Sequence, residues 1–396
     1  MNKKRVKVLV FSLAYLPLVG GAEVALRHIT KRITEIEFDL ITARIKTDLA
    51  TVEKQGNVNI YRVGAGKNLD KYLYPIRAFL LARKMQREKG YDVVWSMMAT
   101  WAGIAAVWFK IAHYRVKYLL TLQSGDSDWF IWKRTWFWYY WYRKIYTKAD
   151  HITVLSHWLE KRARKYGYKG DISLVPNGVE VDKIEQIKNQ GKGSGSSEFK
   201  SIGGELKHKL NIPEKNKIVL TVSRLELKND IGSLIKAVKI LVKDYKMDVS
   251  AVIIGSGRER QKLDFLVKQA GLEANVIFLG KLSNGEALKY YLMADVFSRP
   301  SLSEGQGISF IEAMAFSVPV VATPVGGIPD FLVDKKTGLL CRVKNPSDLA
   351  LKIKNLLEDK QLYLQIQNNA LEMVTRRYNW DKIAQKMKAI IMDLAV

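Results

Sequence analysis

Short apolar runs alternate with helical patterns along most of the chain. Nearly continuous apolar runs predict strands at 6–13, 38–43, 58–63, 91–96, 117–122, 151–155, 172–175, 218–222, 249–254, 276–279, 296–298, 318–322 and 339–341. Helical spacing is clearest at 23–36, 74–89, 135–148 and 356–396. Strands that read as continuous apolar runs are typical of parallel sheets, which are buried on both faces. Because the alternation occurs twice, it predicts an α/β chain of two doubly wound, Rossmann-like parallel-sheet domains.

Turn chemistry separates the two halves of this pattern. Residues 175–178 read VPNG and favour a turn. The segment 188–200, KNQGKGSGSSEFK, has no apolar period and is typical of a mobile insertion. We therefore predict a first domain over 1–180, a linker or insertion over 181–208 and a second domain over 209–377.

The composition is that of a globular protein of two ordinary domains, because 48% of the 396 residues are hydrophobic and 26% are charged. This excludes a disordered or fibrous chain. Cys341 is the one cysteine, which excludes an internal disulfide and favours a reducing compartment. The apolar run 8–13 is shorter than a signal-peptide core and no small-residue cleavage site follows it, and the uncharged stretch 96–109 is shorter than the ~20 residues that span a bilayer. We expect a cytoplasmic protein.

The formal net charge of +25 and the placement of tryptophan suggest a partner. Nine of the ten Trp precede Glu160, and residues 133–169 hold ten Lys or Arg against two acids. Trp and Tyr beside cations suit a membrane interface, and each basic residue near an anionic leaflet contributes ~1 kcal/mol. We expect the region 129–169 to bind the inner face of the cell membrane peripherally. The alternative interpretation is a buried aromatic helix face with a solvated basic side.

Basic charge with interleaved aromatic residues also fits a nucleic-acid-binding protein, which is the alternative from another functional class. The sequence holds no helix-turn-helix, zinc-binding or RNA-binding aromatic signature. Basic charge also leaves the pair of glutamates described below unexplained. We therefore expect no nucleic-acid partner.

Several glycine-rich or basic segments follow predicted strands. Gly20 and Gly21 stand where a strand gives way to a helix, so the backbone there would suit a close-lying anion, and the alternative is that they form only a tight turn. Arg224 and Lys228 follow the strand 218–222 and would clamp a diphosphate, unless they are solvated surface charges. The segment 253–258, IIGSGR, superficially matches a dinucleotide fingerprint, but Arg260 replaces the third glycine. We therefore do not expect a nicotinamide or flavin role.

The segment 299–315, RPSLSEGQGISFIEAMA, is the most informative. It places Glu304 in a glycine-containing loop and Glu312 in the first turns of a predicted helix, with seven residues between them. Carboxylates accept hydrogen bonds from sugar hydroxyls, and a helix start suits a phosphate. The alternative is that Glu304 is a surface residue and Glu312 a charge that stabilises the helix.

In their order along the chain, these segments resemble the GT-B glycosyltransferases of family 4, retaining enzymes that use nucleotide sugars. The motifs are GGAE at 20–23, VPNGVE at 175–180, SRLELKND at 223–230, IIGSG at 253–257, EGQGISFIEAMA at 304–315 and PVVATPVGGIPDFL at 319–332. The resemblance covers nearly the whole chain. It implies the GT-B fold, with two domains that face a cleft and a C-terminal helix, 378–396, that packs back on the first domain.

The resemblance also implies roles for individual residues. Arg224 and Lys228 would hold the diphosphate, and Glu304 would contact the transferred sugar, which makes these three the catalytic candidates. Glu312 would bind the ribose hydroxyls. The other donor-binding candidates are Gly20, Gly21, Gly280, Lys281, Leu282, Gly305, Gln306, Gly307 and Ile308. The resemblance implies no metal and no cofactor beyond the nucleotide-sugar substrate, so cations and helix dipoles would supply the electrostatic stabilisation.

Two residues depart from the family pattern. Many relatives carry a histidine just after the strand that corresponds to 117–122, and Gln123 stands there in this chain. Glutamine binds sugar hydroxyls but cannot act as a general acid or base, so we interpret Gln123, with nearby Asp126, as an acceptor-side positioning residue. Gln306 replaces the bulky apolar residue that is common between the two glycines.

The function predicted from the resemblance is a retaining, metal-independent glycosyltransferase. It would move a sugar, typically a hexose, from a nucleoside-diphosphate sugar to a lipid-linked or saccharide acceptor in polysaccharide or glycolipid synthesis. Because a fold does not fix a reaction, a sugar-nucleotide epimerase or hydrolase is the alternative within the enzymes.

Overall fold

The structure of the protein is a computed structural model that describes residues 5–17, 20–67, 69–191 and 202–396. The chain forms two compact units. The first unit comprises Met1–Asn177 and Trp380–Val396, and the second comprises Gly178–Asn379. The predicted insertion at 188–200 begins inside a helix of the second unit, and its residues 192–200 lie outside the described residues.

The first unit is built on a sheet of eight strands. The strands are β1 (Lys7–Phe11), β2 (Glu37–Ala43), β3 (Val52–Gln55), β4 (Val58–Val63), β5 (Val93–Met97), β6 (Lys117–Leu122), β7 (His151–Val154) and β8 (Asp171–Leu174). Their order across the sheet is β3-β4-β2-β1-β5-β6-β7-β8, and every neighbouring pair except β3 and β4 is parallel. The sequence analysis missed β3, because this antiparallel edge strand reads VEKQ and lacks an apolar run.

Six α-helices lie among the described residues of the first part of the chain. They are α1 (Gly21–Arg32), α2 (Asp70–Lys89), α3 (Trp101–Ala112), α4 (Asp128–Thr135), α5 (Tyr139–Thr147) and α6 (His157–Lys165). The predicted helix 135–148 is therefore two helices joined by a 3₁₀ turn, Trp136–Trp138. The first of them begins earlier than predicted because the hydroxyl of Ser127 accepts from the backbone N–H of Phe130 and caps it.

The second unit repeats the architecture with six strands. They are β9 (Lys217–Val222), β10 (Val249–Ile254), β11 (Val276–Gly280), β12 (Val296–Arg299), β13 (Val320–Ala322) and β14 (Leu339–Leu340). All neighbours are parallel, in the order β11-β10-β9-β12-β13-β14. The helices are α7 (Val181–Gly191), α8 (Ile202–Lys209), α9 (Ile231–Lys239), α10 (Arg260–Ala270), α11 (Asn284–Lys289), α12 (Ile308–Ala315), α13 (Pro346–Glu358) and α14 (Lys360–Arg377). The segment 181–208, expected to be a linker, thus contributes two helices to this unit.

The next helix, α15 (Trp380–Leu394), belongs to the first unit. Its apolar side, with Ile383 and Met387, is buried against α1. The Trp380 ring stacks on His28 of α1 at 4.8 Å between centroids, and Asp381 pairs with Arg32. The stretch 356–396 is not helical throughout, because breaks at Asp359 and at 378–379 separate α13, α14 and α15.

Helices cover both faces of the first sheet. Apolar residues of α2, α3, α5 and α6 form one buried cluster with it, and those of α1 and α15 form another on the opposite face. Among the described residues, no helix combines the length and the hydropathy needed to cross a bilayer.

Candidate active site

The second sheet changes direction between β9 and β12. The chain first adds β10 and β11 on one side of β9, and then places β12, β13 and β14 on the other. Loops that leave the carboxyl ends of strands on either side of such a switch point diverge and form a crevice, which is where open α/β sheets bind ligands. Arg224 and Lys228 lie in the loop after β9, and Glu304 lies in the loop after β12. The two predicted parts of the site therefore flank the switch point of one sheet.

Backbone hydrogen bonds join five successive loops along this edge. The N–H of Gly255 donates to the carbonyl of Gly280 at 2.7 Å, which links the ends of β10 and β11. The N–H of Leu225 donates to Ser256 across the loops of β9 and β10. The remaining two links run from Leu302 to the carbonyl of Lys228, at 2.7 Å, and from Gly327 to the carbonyl of Glu304, at 3.0 Å. The loops form one connected edge, which fixes the spacing of the candidate residues.

Three glycines make these contacts possible. A Cβ atom on Gly255 would lie 1.8 Å from the carbonyl oxygen of Ser223, and one on Gly257 would lie 2.2 Å from that of Leu225. A Cβ on Gly326, whose φ is +57°, would lie 1.8 Å from the carbonyl oxygen of Glu304. The glycines of the IIGSG segment are thus explained by close packing against the loop that carries Arg224.

Arg224 and Lys228 differ in their surroundings. The side chain of Arg224 is exposed, and that of Lys228 is half-buried in a 3₁₀ turn, Leu227–Asn229. The Asn229 side chain donates to the carbonyl of Arg224 at 2.6 Å and fixes the shape of the loop. Two cations on one fixed loop suit a diphosphate.

Glu304 is held by a residue that the sequence analysis did not select. Arg299, at the end of β12, is only 6% exposed, and its Nη2 lies 2.6 Å from Oε2 of Glu304. The same guanidinium donates to the hydroxyls of Ser301 and Ser309, at 3.1 Å each, and lies 4.4 Å from the centre of the Phe310 ring. This buried arginine fixes the Glu304 carboxylate. The available signal was a cation that ends an otherwise apolar strand, VFSR.

The segment after Glu304 forms the start of α12. Gly307 precedes the helix at φ +83°, and a Cβ atom there would lie 2.8 Å from the Arg299 guanidinium. Gly305 donates its N–H to Oε1 of Glu304 at 3.0 Å. Gln306 is buried, and Ile308 is the first helical residue. Gly305 and Gly307 therefore lie against the Arg299–Glu304 pair, and Gln306 and Ile308 follow each of them in the chain.

Glu312 lies one helical turn further along α12 and is half-buried. The Tyr291 hydroxyl donates to its Oε2 at 3.1 Å. Burial raises the pKa of Glu312 above its ordinary value. The hydrogen bond from Tyr291 and the charge of Arg299 oppose this shift.

The third part of the predicted donor site lies at the end of β11. Gly280 adopts φ +70° and closes the strand. Lys281 is exposed and Leu282 half-buried, and Ser283 then caps α11. These residues are two strands away from the loop of Arg224, on the far side of the Gly255–Gly280 link.

In the first unit, the glycine pair begins α1. The N–H of Gly20 donates to Oε2 of Glu23 at 2.8 Å, so the helix start is capped by its own acid. Burial raises the pKa of Glu23, although the backbone hydrogen bonds oppose the shift. Gly21 has open space where a side chain would stand. The residues Leu18 and Val19, which precede the pair, lie outside the described residues.

Gln123 and Asp126 share the loop after β6. The side-chain amide of Asn177 donates to Oε1 of Gln123 at 3.4 Å, and the Ser124 hydroxyl donates to the Asp126 carboxylate at 2.9 Å. The loop follows β6, which β5 separates from the strand that leads to Gly20.

A buried arginine also holds this loop. Arg162 of α6 is 5% exposed, and its guanidinium donates to the carbonyls of Ser124 and Asp126. Its Nε lies 3.2 Å from the carboxylate of Asp128, the first residue of α4. The ring of Trp158 lies 4.0 Å from the guanidinium. Nothing in the sequence distinguished this residue from the other cations of a basic helix.

The switch point of the first sheet lies between β1 and β5, and the sequence analysis selected nothing after β5. Met98, the first residue after the strand, adopts φ +67°, a left-handed conformation that is rare for such a side chain. Its N–H donates to the carbonyl of Thr121, and Thr100 then caps α3. Residues 98–100 are therefore added to the candidate site residues at this edge of the first sheet, because they lie at the switch point and Met98 has a strained backbone.

Within the described part of the chain, no group of three or more His, Cys, Asp or Glu side chains is placed to hold a metal ion.

Comparison with known proteins agrees with this division of the chain. The family model of the glycosyl transferases group 1 matches residues 204–373, and that of Glycosyltransferase Family 4 matches residues 19–183. An uncharacterised glycosyltransferase of Methanocaldococcus jannaschii is 26% identical over 389 residues, which cover 98% of this chain and 99% of that protein.

Two further relatives have named activities. The N-acetyl-alpha-D-glucosaminyl L-malate synthase of Bacillus anthracis is 31% identical over 62% of this chain and 60% of its own length. A GDP-mannose-dependent phosphatidylinositol monomannoside mannosyltransferase of Mycobacterium tuberculosis is 27% identical over 62% of each chain.

Solved structures show the same fold. Sucrose-phosphate synthase from Thermosynechococcus elongatus matches with a TM-score of 0.81 and 21% identity, over 98% of this chain and 99% of its own. An Anabaena protein crystallised with UDP and glucose matches with a TM-score of 0.77 and 19% identity, over 98% of this chain and all of its own. The GT-B fold expected from the sequence is thereby confirmed.

Proposed function

The chain belongs to the family 4 glycosyltransferases of group 1, and from this premise we propose that it moves a sugar from a nucleoside-diphosphate sugar to a lipid-linked or saccharide acceptor. The observation that carries the proposal is the connected edge of the second sheet. It brings the loops of Arg224, Lys228 and Glu304 together on both sides of a switch point.

In this proposal the donor binds along the edge of the second unit. Arg224 and Lys228 neutralise the diphosphate, whose negative charge grows as the glycosidic bond breaks. Glu304, fixed by Arg299, contacts the transferred sugar. Glu312 accepts hydrogen bonds from the ribose hydroxyls, and residues 280–282 lie beside the base. The binding of UDP by the Anabaena protein of the same fold supports a nucleotide in this place.

The proposed reaction retains the configuration of the anomeric carbon through an oxocarbenium-like transition state. The cations of the β9 loop and the start of α12 stabilise the leaving diphosphate, and the proposal includes no metal ion. The acceptor binds the first unit, where Gln123 and Asp126 position it, and Gly20 and Gly21 at the start of α1 remain donor-side candidates. Gln123 orients the acceptor and exchanges no proton.

We also propose that the acceptor is drawn from an anionic membrane surface on the cytoplasmic side. The mannosyltransferase relative, whose name includes a phosphatidylinositol acceptor, supports a lipid-linked acceptor. The cations and exposed aromatic side chains within the region 129–169 support peripheral attachment.

A thermal-shift screen tests the donor assignment. UDP, GDP, ADP and their common sugars are added without metal to the wild type, to Glu312→Ala and to Glu273→Ala. A ligand that binds only the native state raises stability, by about 2.7 kcal/mol at a hundred times its Kd. We expect one nucleotide to shift the wild type and Glu273→Ala, whose exposed glutamate precedes β11, and to leave Glu312→Ala unchanged.

The absence of a shift with every nucleotide would contradict the donor assignment. A shift that persists in Glu312→Ala would remove that residue from the site while leaving the donor in place. Incubation of donor with and without acceptor, followed by analysis of the anomeric configuration of the product, separates transfer from hydrolysis or epimerisation.

A further inference from the structure

Two rows of aromatic rings cross three helices of the first unit. In one row, Tyr72 of α2 contacts Trp101 of α3, whose ring stacks on Trp138 at 4.6 Å between centroids. The second row, Phe79, Trp108 and Trp141, runs across the same helices with edge-to-face contacts at 6.1 and 5.8 Å. These six rings join α2, α3 and the segment 136–147 into one layer, which we call the aromatic face.

The outer side of the aromatic face is apolar and exposed. Along α2, an exposed stripe follows helical spacing; its residues are Leu69, Tyr72, Leu73, Ile76 and Leu80. Ile76 is 51% exposed. At the other end, Phe137 is 66% exposed and contacts Trp138 with its ring edge, which extends the first row. Large exposed apolar side chains that adjoin one another on one side of a unit mark an interaction site, whereas single scattered ones do not. The sequence analysis assigned the aromatic region from 129 onward and did not include α2.

Cations border the rings. The amino group of Lys71 lies 4.9 Å from the Tyr72 ring centre, and the Arg83 guanidinium lies 5.7 Å from that of Phe79. Lys144 lies 5.1 Å from the ring of Tyr140 at the opposite border. Between 71 and 87 the sequence of α2 holds five Lys or Arg and no acid. A partner that complements an apolar surface with a basic border presents anionic groups to the cations and an apolar region to the exposed apolar side chains.

We propose that the aromatic face, including the α2 stripe, docks into the interface of an anionic lipid bilayer. Trp and Tyr favour the headgroup level, and the bordering cations attract anionic headgroups. A second copy of this chain is a poor occupant, because it would bring the cations of the two borders together. The inference rests on the proposed membrane attachment, which it extends to α2 and α3, and not on the proposed chemistry.

Vesicle flotation tests the face from both ends. One variant combines Ile76→Ser with Leu80→Ser, and another combines Trp136→Ser with Phe137→Ser. The matched control is Phe265→Ser on α10 of the second unit, because Phe265 is 67% exposed. Vesicles contain phosphatidylcholine alone or with phosphatidylglycerol. We expect binding to the anionic vesicles only, weakened about tenfold or more by each double variant and unchanged by the control.

Three results of the flotation experiment would overturn the proposal. They are unchanged binding of the Ile76/Leu80 variant, equal loss in Phe265→Ser, and equal binding to neutral vesicles. A wild-type dimer by light scattering that both double variants convert to monomer would assign the face to a second copy instead. The nucleotide thermal shift, measured in the same variants, is expected to stay at the wild-type value. Absence of that shift in the wild type, together with normal wild-type binding to the anionic vesicles, would count against the proposed donor site and not against this face.

Discussion

Each unit has a buried arginine behind a loop of its candidate site, Arg162 in the first and Arg299 in the second, and the two make different contacts. Arg162 and Arg299 are almost equally buried, and each guanidinium lies over an aromatic ring, at 4.0 Å from Trp158 and 4.4 Å from Phe310. Arg162 donates to two backbone carbonyls of the loop after β6. Arg299 donates to a carboxylate and two hydroxyls around the loop after β12.

The difference shows what each unit needs to fix. In the first unit the arginine fixes the path of a backbone, so that Gln123 and Asp126 stand at a set position. In the second unit it fixes a single charged side chain, Glu304. Both geometry and charge matter for Arg299, whereas for Arg162 the fork of the guanidinium matters more than its charge.

The largest effect is expected from Arg299→Met, which leaves the Glu304 carboxylate without its cation. Loss of one partner from a buried pair costs about 3 kcal/mol or more, so the free energy of unfolding of the second unit falls by about that amount. Arg260→Met is the matched control, because Arg260 also pairs with a carboxylate and lies 4.4 Å from a ring, but at the surface. Denaturant unfolding monitors both. A loss of less than about 1 kcal/mol in Arg299→Met, as for surface pairs, would show that the pair does not hold the loop.

Next in size is the effect of removing one of the two cations in the β9 loop of the same unit. We expect Arg224→Ala and Lys228→Ala each to lower turnover about 10²-fold, because each removes a charge that stabilises the leaving diphosphate. Stability is expected to stay within about 0.5 kcal/mol of the wild type for Arg224→Ala. Sugar transfer assays with Lys236→Ala of α9 as the control measure the effect. Near-normal turnover in both variants would remove the diphosphate clamp.

A smaller effect is expected from Arg162→Gln in the first unit. The lost bonds to the Ser124 and Asp126 carbonyls release the loop, so we expect the KM for the acceptor to rise about tenfold. Nucleotide affinity is expected to stay constant. Arg162→Lys is expected not to restore the KM, whereas Arg299→Lys restores part of the lost stability, because lysine lacks the fork but keeps the charge. Arg164→Gln, on the same helix, is the control. An equal change in nucleotide affinity would contradict the assignment of Arg162 to the acceptor loop.

The smallest effect is a pH dependence. Burial raises the pKa of Glu312, and the ionised form is the one that accepts from ribose hydroxyls. Nucleotide affinity is therefore expected to fall a few-fold as the pH is lowered from neutral towards the ordinary pKa range of a glutamate, and to lose this slope in Glu312→Gln. The native state holds the proton more tightly than the unfolded state, so this group lowers the free energy of unfolding as the pH rises through the same window. Calorimetric titration checks the slope, and an equal slope in both proteins would contradict it.

The sequence analysis predicted the fold from strands whose apolar residues indicate that they are buried. The strands β4, β6 and β10 begin and end where the apolar runs do. The edge strand β3 and the breaks around α14 escaped it, because a polar edge strand has no apolar run and a helix can be interrupted without losing its apolar spacing. The local pattern of apolar residues predicts the buried strands of a sheet but not its edge strands or the ends of its helices.

The candidate site followed the same division. Arg224 and Glu304 were selected because strand ends and motif order point to them. Arg162 and Arg299 were not selected, because the sequence does not distinguish a buried arginine from a solvated one. The burial of an arginine depends on partners from other loops. The exposed stripe on α2 escaped notice for the converse reason, since its apolar spacing is also that of a helix packed in a core.

The placement of α15 has a consequence for biosynthesis. The second unit is one contiguous segment, whereas the first unit receives α15 only after the whole of that segment has been translated. Until α15 has been translated, the apolar side of α1 lacks the helix that buries it in the folded protein. During translation the second unit is therefore complete before the first unit is. A chaperone that shields α1 would act in the interval between the two.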